Sequence, residues 1–304
     1  MYLISKVCTI LNGRLMQAGE REIRHLLYDS RRIQHPETSL FFAIKTAHND
    51  GHRYLAEAYQ KGVRAFVVSE EVALEDAAVI RVDDTLAALQ KLAAWHRSQF
   101  SIPVIGITGS NGKTVVKEWL AQLLEEDFSI VRSPKSFNSQ LGVPLSVWEM
   151  GPQHTLGIFE AGISTVGEME KLQQVIQPTI GILTNIGEAH NEGFASQEEK
   201  LQEKLLLFKD AKIVIGEKKW LQQTTRPVFS WSREAGADVF VRSVSTTGGQ
   251  TEIAVVHEEK KSFIRIPFID DASIQNAITC VCVLLYLKKD ITAYRQRFLQ
   301  LHPV

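Results

Sequence analysis

The segment Gly106-Ile107-Thr108-Gly109-Ser110-Asn111-Gly112-Lys113-Thr114 limits what this chain can fold into more than any other. It follows a strand-length apolar run over 104–108 and opens a stretch of helical spacing over 113–125. A glycine-rich turn between a strand and a helix points backbone N–H groups and a helix N-terminus at a polyphosphate. In that reading Gly109, Ser110, Asn111 and Gly112 form the cradle, Lys113 brings a cation to the phosphate oxygens, and Thr114 offers a hydroxyl to Mg²⁺. The spacing departs from the full phosphate-loop pattern, because Ile107 holds the place of the first glycine while glycines stand at 106 and 109. The plain alternative is a glycine turn with an exposed lysine; the strand before and the helix after favour the phosphate loop.

The pattern around the loop predicts α/β architecture in two domains, 1–100 and 101–304, with a boundary near Ser101-Ile102-Pro103. The first hundred residues read as a small α/β unit, with strands at 40–44, 65–68 and 78–82 and helices at 4–11, 54–60 and 85–99. Beyond 100, apolar strands at 104–108, near 130, 156–160, 180–185 and 212–215 alternate with helices at 113–125, 167–175 and 196–208. That alternation predicts a mainly parallel sheet flanked by helices, with ligands at the carboxyl ends of its strands. Over 239–268 the period changes to two, which predicts a hairpin of 251–256 with 262–268, and helices follow at 274–286 and 292–301.

Two further segments sit where strands end. Glu160-Ala161-Gly162 follows the run 156–159, and a carboxylate there can hold Mg²⁺ directly or through water. Thr184-Asn185-Ile186-Gly187-Glu188-Ala189-His190 follows the next strand and offers further cation ligands, His190 among them. His48 and His52 have the spacing of a zinc half-site, but no third ligand is near in sequence, so zinc is not expected. The charged run 198–208 reads as an amphipathic helix with its charges in water and Leu201, Leu205 and Phe208 inward.

Composition removes several function classes. Lys plus Arg number 34 against 35 Asp plus Glu, a net charge of −1 that gives no field for a nucleic-acid backbone or an anionic membrane. The longest apolar run, 277–287, is well short of the ~20 residues that span a bilayer. Lys6 interrupts the first apolar stretch and no secretory cleavage site follows it. The three cysteines make no C-x-x-C pair and read as small packed hydrophobes, so a cytoplasmic protein is expected.

The loop 108–114, the stretch Ser136-Phe137-Asn138-Ser139-Gln140-Leu141-Gly142-Val143-Pro144, Glu160-Ala161-Gly162 and 184–190, in this order, resemble the Mur ligases, ATP-dependent amide-forming enzymes of peptidoglycan synthesis. The likeness is greatest to the branch that adds D-alanyl-D-alanine to UDP-N-acetylmuramoyl-tripeptide, in the form that is fused to alanine racemase. The resemblance implies an N-terminal domain for the UDP part of the substrate, a central ATPase domain, and a C-terminal domain closing over ATP. Only the first two are covered, so a truncated portion, inactive alone, is expected. By the same resemblance Ser30, Arg31 and Lys45 serve the uridine diphosphate; Lys113 and Asn138 serve the transferring phosphate; and Asn276 serves the adenine, with Ala272 standing where the family has a histidine. Thr114 and Glu160 would hold one Mg²⁺ and His190 a second, and Lys204 holds the place of a lysine that several Mur ligases carbamoylate. The implied reaction makes an acyl phosphate and then an amide.

Other readings compete. A folylpolyglutamate-type ligase is disfavoured by the hundred residues ahead of the loop, and a GTPase by the absence of an Asn-Lys-x-Asp signature. A module that binds nucleotide or UDP-substrate without catalysis would not need the set Lys113, Glu160 and His190.

Overall fold

Val104–Thr108 and Leu156–Glu160 are buried at every position, as a parallel strand covered on both faces requires. In the computed structural model, which describes residues 1–17, 19–46, 49–187 and 193–304, the chain divides into two compact units, Met1–Gln99 and Phe100–Val304.

The first unit carries a sheet in the order Arg14–Gln17, Ala78–Arg81, Ala65–Val68, Ser39–Phe42, His25–Leu27. All its neighbours run parallel except the first pair. Tyr2–Leu3 and Glu22–Ile23 add a small antiparallel pair. Helix Ile4–Leu11 stops at Asn12, whose φ of 55° is left-handed, and Thr85–Arg97 starts on Asp84, whose carboxylate accepts the Leu86 and Ala87 N–H groups. Phe41, Phe66, Val68, Val79 and Leu55 fill its core. The strands Arg14–Gln17 and His25–Leu27 were not expected from sequence; each is too short and too polar to show a period.

The second unit holds a nine-stranded sheet among the described residues. Ile130–Arg132, Leu156–Glu160, Val104–Thr108, Ile180–Leu183, Ile213–Glu217, Val228–Ser232 and Val239–Thr247 lie side by side and parallel. Gln250–His257 and Lys260–Ile266 complete it antiparallel. The expected hairpin is therefore two strands of a three-stranded antiparallel ribbon, since Val239–Thr247 also pairs with Gln250–His257. Helices Lys113–Leu124, Asp271–Tyr286 and Ile291–Leu299 bury Trp119, Leu120, Leu123, Ile278, Val281, Leu284 and Phe298 with Ile105, Ile107 and Ile158 in one core. Cys280 and Cys282 are fully buried there as packed thiols, and burial pushes both thiol pKa values far up. Among the described residues no helix is long and apolar enough to cross a membrane.

Candidate functional site

Val104–Thr108 lies between Leu156–Glu160 and Ile180–Leu183, so the loop that leaves it emerges between the carboxyl ends of its two neighbours. Gly109 has φ +146°, and a Cβ there would stand 1.9 Å from Thr184 Oγ1. Gly112 caps the helix in the left-handed region at φ +81°. Gly109 and Gly112 therefore meet a backbone requirement, and the missing glycine at 107 is explained by Ile107, which is fully buried in the core.

The segment after the next strand fixes the loop. Ser110 N–H donates to the Asn185 carbonyl at 2.9 Å and Asn111 N–H to Asn185 Oδ1 at 3.0 Å, while Thr184 Oγ1 donates to the Asn111 carbonyl at 2.6 Å. Ser110 Oγ also receives the Gly187 N–H at 2.9 Å. The first helical hydrogen bond runs from Val116 N–H to the Gly112 carbonyl, so the N–H groups of Lys113, Thr114 and Val115 lie ahead of that ladder.

Cations gather on this loop. Lys113 Nζ donates to the carbonyls of Gly109 and Ser110 at 2.9 and 3.3 Å. Lys204 Nζ donates to the Gly109 carbonyl at 3.2 Å, and Lys200 Nζ to that of Gly187 at 2.6 Å. Burial pushes the Lys204 ammonium down to about 7, with Lys113 and Lys200 adding to the shift. Burial also lowers Lys113, against the pull of Glu160. Glu160 is fully buried; its Oε2 accepts from Thr114 Oγ1 at 2.9 Å and its Oε1 faces Lys117 Nζ at 3.3 Å. Thr114 and Glu160 thus put two hard oxygen donors at the helix N-terminus, a donor set that fits Mg²⁺ beside phosphate oxygens.

The helix Gln197–Leu205 corrects the expectation of a wet charged face. Lys200, Glu203 and Lys204 are buried with Leu201, and Leu205 is only partly buried. Glu203 Oε1 accepts the N–H groups of Gly167 and Met169 at 2.8 and 3.1 Å, at the start of helix Glu168–Ile176. Spacing by three and four put these residues on one face, but only the fold decided which face was buried. Sequence reasoning missed Lys200 and Lys117; that shared spacing with Lys204 and Lys113 was the available signal.

Asn138 is half-buried over Gly162, where a Cβ would meet its amide carbon at 2.9 Å. Asn276 is buried with Oδ1 2.4 Å from where a Gly112 Cβ would be, so its amide lies on the loop itself. Ala272 is exposed. His190 lies outside the described residues, as does His48. The ring of His52 is already engaged, Nδ1 with Asp50 Oδ1 at 2.6 Å and Nε2 with the Ser69 N–H at 3.1 Å.

In the first unit, Ser30 and Arg31 line a cleft of about 240 Å³ with Tyr28, Asn49, Tyr54 and Glu57. Ser30 Oγ donates to Glu57 Oε2 at 2.7 Å, and Arg31 makes a two-pronged pair with Asp29, which lowers the Asp29 carboxyl pKa. Lys45 is not in that lining; it pairs with Glu70 at 2.6 Å.

The glycine loop at the end of an inner strand of a parallel sheet, with lysine and hydroxyl at the helix start, defines a phosphate-loop α/β protein. A model of the Mur ligase middle domain matches residues 107–284, and one of the Mur ligase family catalytic domain matches residues 22–97. The chain belongs to the Mur ligase family. It is 36% identical over 216 residues to the UDP-N-acetylmuramoyl-tripeptide–D-alanyl-D-alanine ligase of Treponema pallidum, covering 67% of this chain and 47% of that one. It is 29% identical over 293 residues to the Bacillus subtilis enzyme of the same name, covering 93% and 63%. A crystal structure of MurF from Acinetobacter baumannii superposes with a TM-score of 0.90 at 25% identity, over 99% of this chain and 68% of that one. The chain thus spans about half to two thirds of the length of these curated relatives.

Proposed function

We propose that this chain is the nucleotide- and UDP-substrate-handling portion of an ATP-dependent ligase that joins D-alanyl-D-alanine to UDP-N-acetylmuramoyl-tripeptide. The observation that carries the reading is the convergence of Lys113 and Lys204 on the Gly109 carbonyl of the glycine loop, with the buried Glu160 at the start of the helix that follows. Two lysines held on one loop by backbone carbonyls favour a polyanionic ligand, and a triphosphate matches the loop. The names of the relatives support the acceptor and donor.

In this reading the first-turn N–H groups and Lys113 hold the ATP phosphates, Lys113 exchanging its two loop carbonyls for phosphate oxygens. Thr114 and Glu160 hold Mg²⁺, which supplies neutralising charge at the phosphates. The tripeptide's terminal carboxylate attacks the γ-phosphorus, ADP leaves, and an acyl phosphate forms. The D-alanyl-D-alanine amine then attacks the acyl carbon, loses a proton, and expels phosphate, leaving the amide. Asn138, beside Gly162, orients the phosphoryl group, and Asn276 approaches the nucleotide from the loop side. Ser30 and Arg31 receive the uridine diphosphate in their cleft. The amine of Lys204, held near neutrality, can take up CO₂ with release of a proton, and the carbamate would add oxygen donors beside the loop.

Calorimetric titration of the chain with ATP in Mg²⁺ tests the reading, with Lys113→Ala beside it. Mg²⁺-dependent binding, weakened at least about tenfold by Lys113→Ala, is expected. Absence of ATP binding by the unsubstituted chain defeats it. Binding without phosphate release is the outcome expected of a portion inactive alone; phosphate release and amide formation by this chain with both co-substrates would overturn that expectation.

A further inference from the structure

Lys117 has no solvent exposure, yet it carries a charge into the interior of the second unit. It lies one helical turn beyond Lys113 and Thr114, on the same face of helix Lys113–Leu124. Its ammonium donates to the carbonyl of Ser133 at 2.7 Å and to that of Lys135, and faces Glu160 Oε1 at 3.3 Å and Glu118 Oε1 at 3.1 Å. An ammonium has three protons, so these acceptors satisfy it without a ligand.

The two oxygens of Glu160 are thereby divided, Oε1 to Lys117 and Oε2 to the Thr114 hydroxyl. A carboxylate held at both oxygens cannot rotate, and its Oε2 edge stays beside Thr114 at the start of the helix. The carbonyls that hold Lys117 belong to the segment leading into Asn138, so one cation ties the acid to that segment as well. We propose that Lys117 is a positioning residue that fixes the Glu160 carboxylate for a divalent cation on the loop, acting through Glu160 and not by touching substrate. The inference rests on the nucleotide reading above and adds to it the group that orients the metal acid. Groups behind a metal ligand set its orientation, and losing one lowers metal affinity by about 10–100-fold.

The test is ATP titration of the 304-residue chain over a range of Mg²⁺ concentrations, with melting followed by circular dichroism. Lys117→Met keeps the length and apolar stem but removes the charge. It is expected to raise the Mg²⁺ concentration required for half-maximal ATP binding by at least about tenfold, with metal-free ATP affinity changed less than about threefold. An unchanged Mg²⁺ requirement, with ATP binding intact in the unsubstituted chain, overturns the positioning role alone. Failure of the unsubstituted chain to bind ATP overturns the nucleotide reading and this inference with it. A second comparison does not depend on a stable single variant: Glu160→Gln is measured with and without Lys117→Met, so that no carboxylate is left buried without its counter-charge. Equal Mg²⁺ requirements support action through Glu160. A further rise in the double variant overturns it.

Discussion

Thr114 Oγ1 donates a 2.9 Å hydrogen bond to Glu160 Oε2, joining the first turn of the loop helix to the end of the neighbouring parallel strand. Because Glu160 is fully buried, this contact is both a stability element and the floor of the proposed cation site.

Thr114→Val keeps the shape and deletes the donor. Loss of a hydrogen bond to a buried charged acceptor is expected to cost about 1.5–3 kcal/mol in urea unfolding. Mg²⁺-dependent ATP binding should weaken with it, by about tenfold. Full stability and unchanged binding in the variant would show that the contact contributes neither.

Gly112→Ala places a methyl 2.4 Å from Asn276 Oδ1 and a side chain at φ +81°. The backbone conformation alone costs about 1–3 kcal/mol. The clash adds to it, and adding Asn276→Ala should return the second part and not the first. Equal unfolding midpoints for the single Gly112→Ala and the double variant would refute the close approach.

Lys204 titrates at about 7 in the folded chain against an ordinary 10.5. Below pH 7 both folded and unfolded states hold the proton, and the full cost of the buried ammonium is felt. Between 7 and 10.5 the folded state has released the proton and the unfolded state has not, so stability rises with pH across that window. Lys204→Met should raise the urea midpoint at pH 6 and flatten its rise from pH 7 to 9. A parallel rise in both proteins would contradict the assignment.

Arg31 is exposed and bonded to Asp29 at the rim of the first unit's cleft. Arg31→Ala should leave the melting temperature unchanged and weaken UDP-substrate binding by about tenfold, as loss of a charge-assisted contact to phosphate does. Uridine diphosphate binding unaffected by the change would remove Arg31 from that role.

The core elements of the sheet were legible because burial on both faces leaves near-continuous apolar runs. Val104–Thr108 and Leu156–Glu160 were expected at the bounds observed, and Ala65–Val68 likewise. Val228–Ser232 was not expected, since its exposed start and alternating polar residues hide a parallel strand. Helix Gly142–Trp148 was missed because a glycine and a proline in its first turn disguise it, although a first-turn proline gives up no intrahelical hydrogen bond.

Local chemistry in the sequence determined the glycine loop, because a strand, positive-φ glycines and a helix start within nine residues leave one way to present N–H groups and a lysine. It also determined the α/β class, through the change of hydrophobic period along the chain. Tertiary structure alone decided that Lys200, Glu203 and Lys204 are buried and that Lys117 meets Glu160. Those facts depend on which helix face meets the sheet and on strands that bring residues 117 and 160 together across forty-three positions of chain, distances over which sequence spacing carries no geometric information.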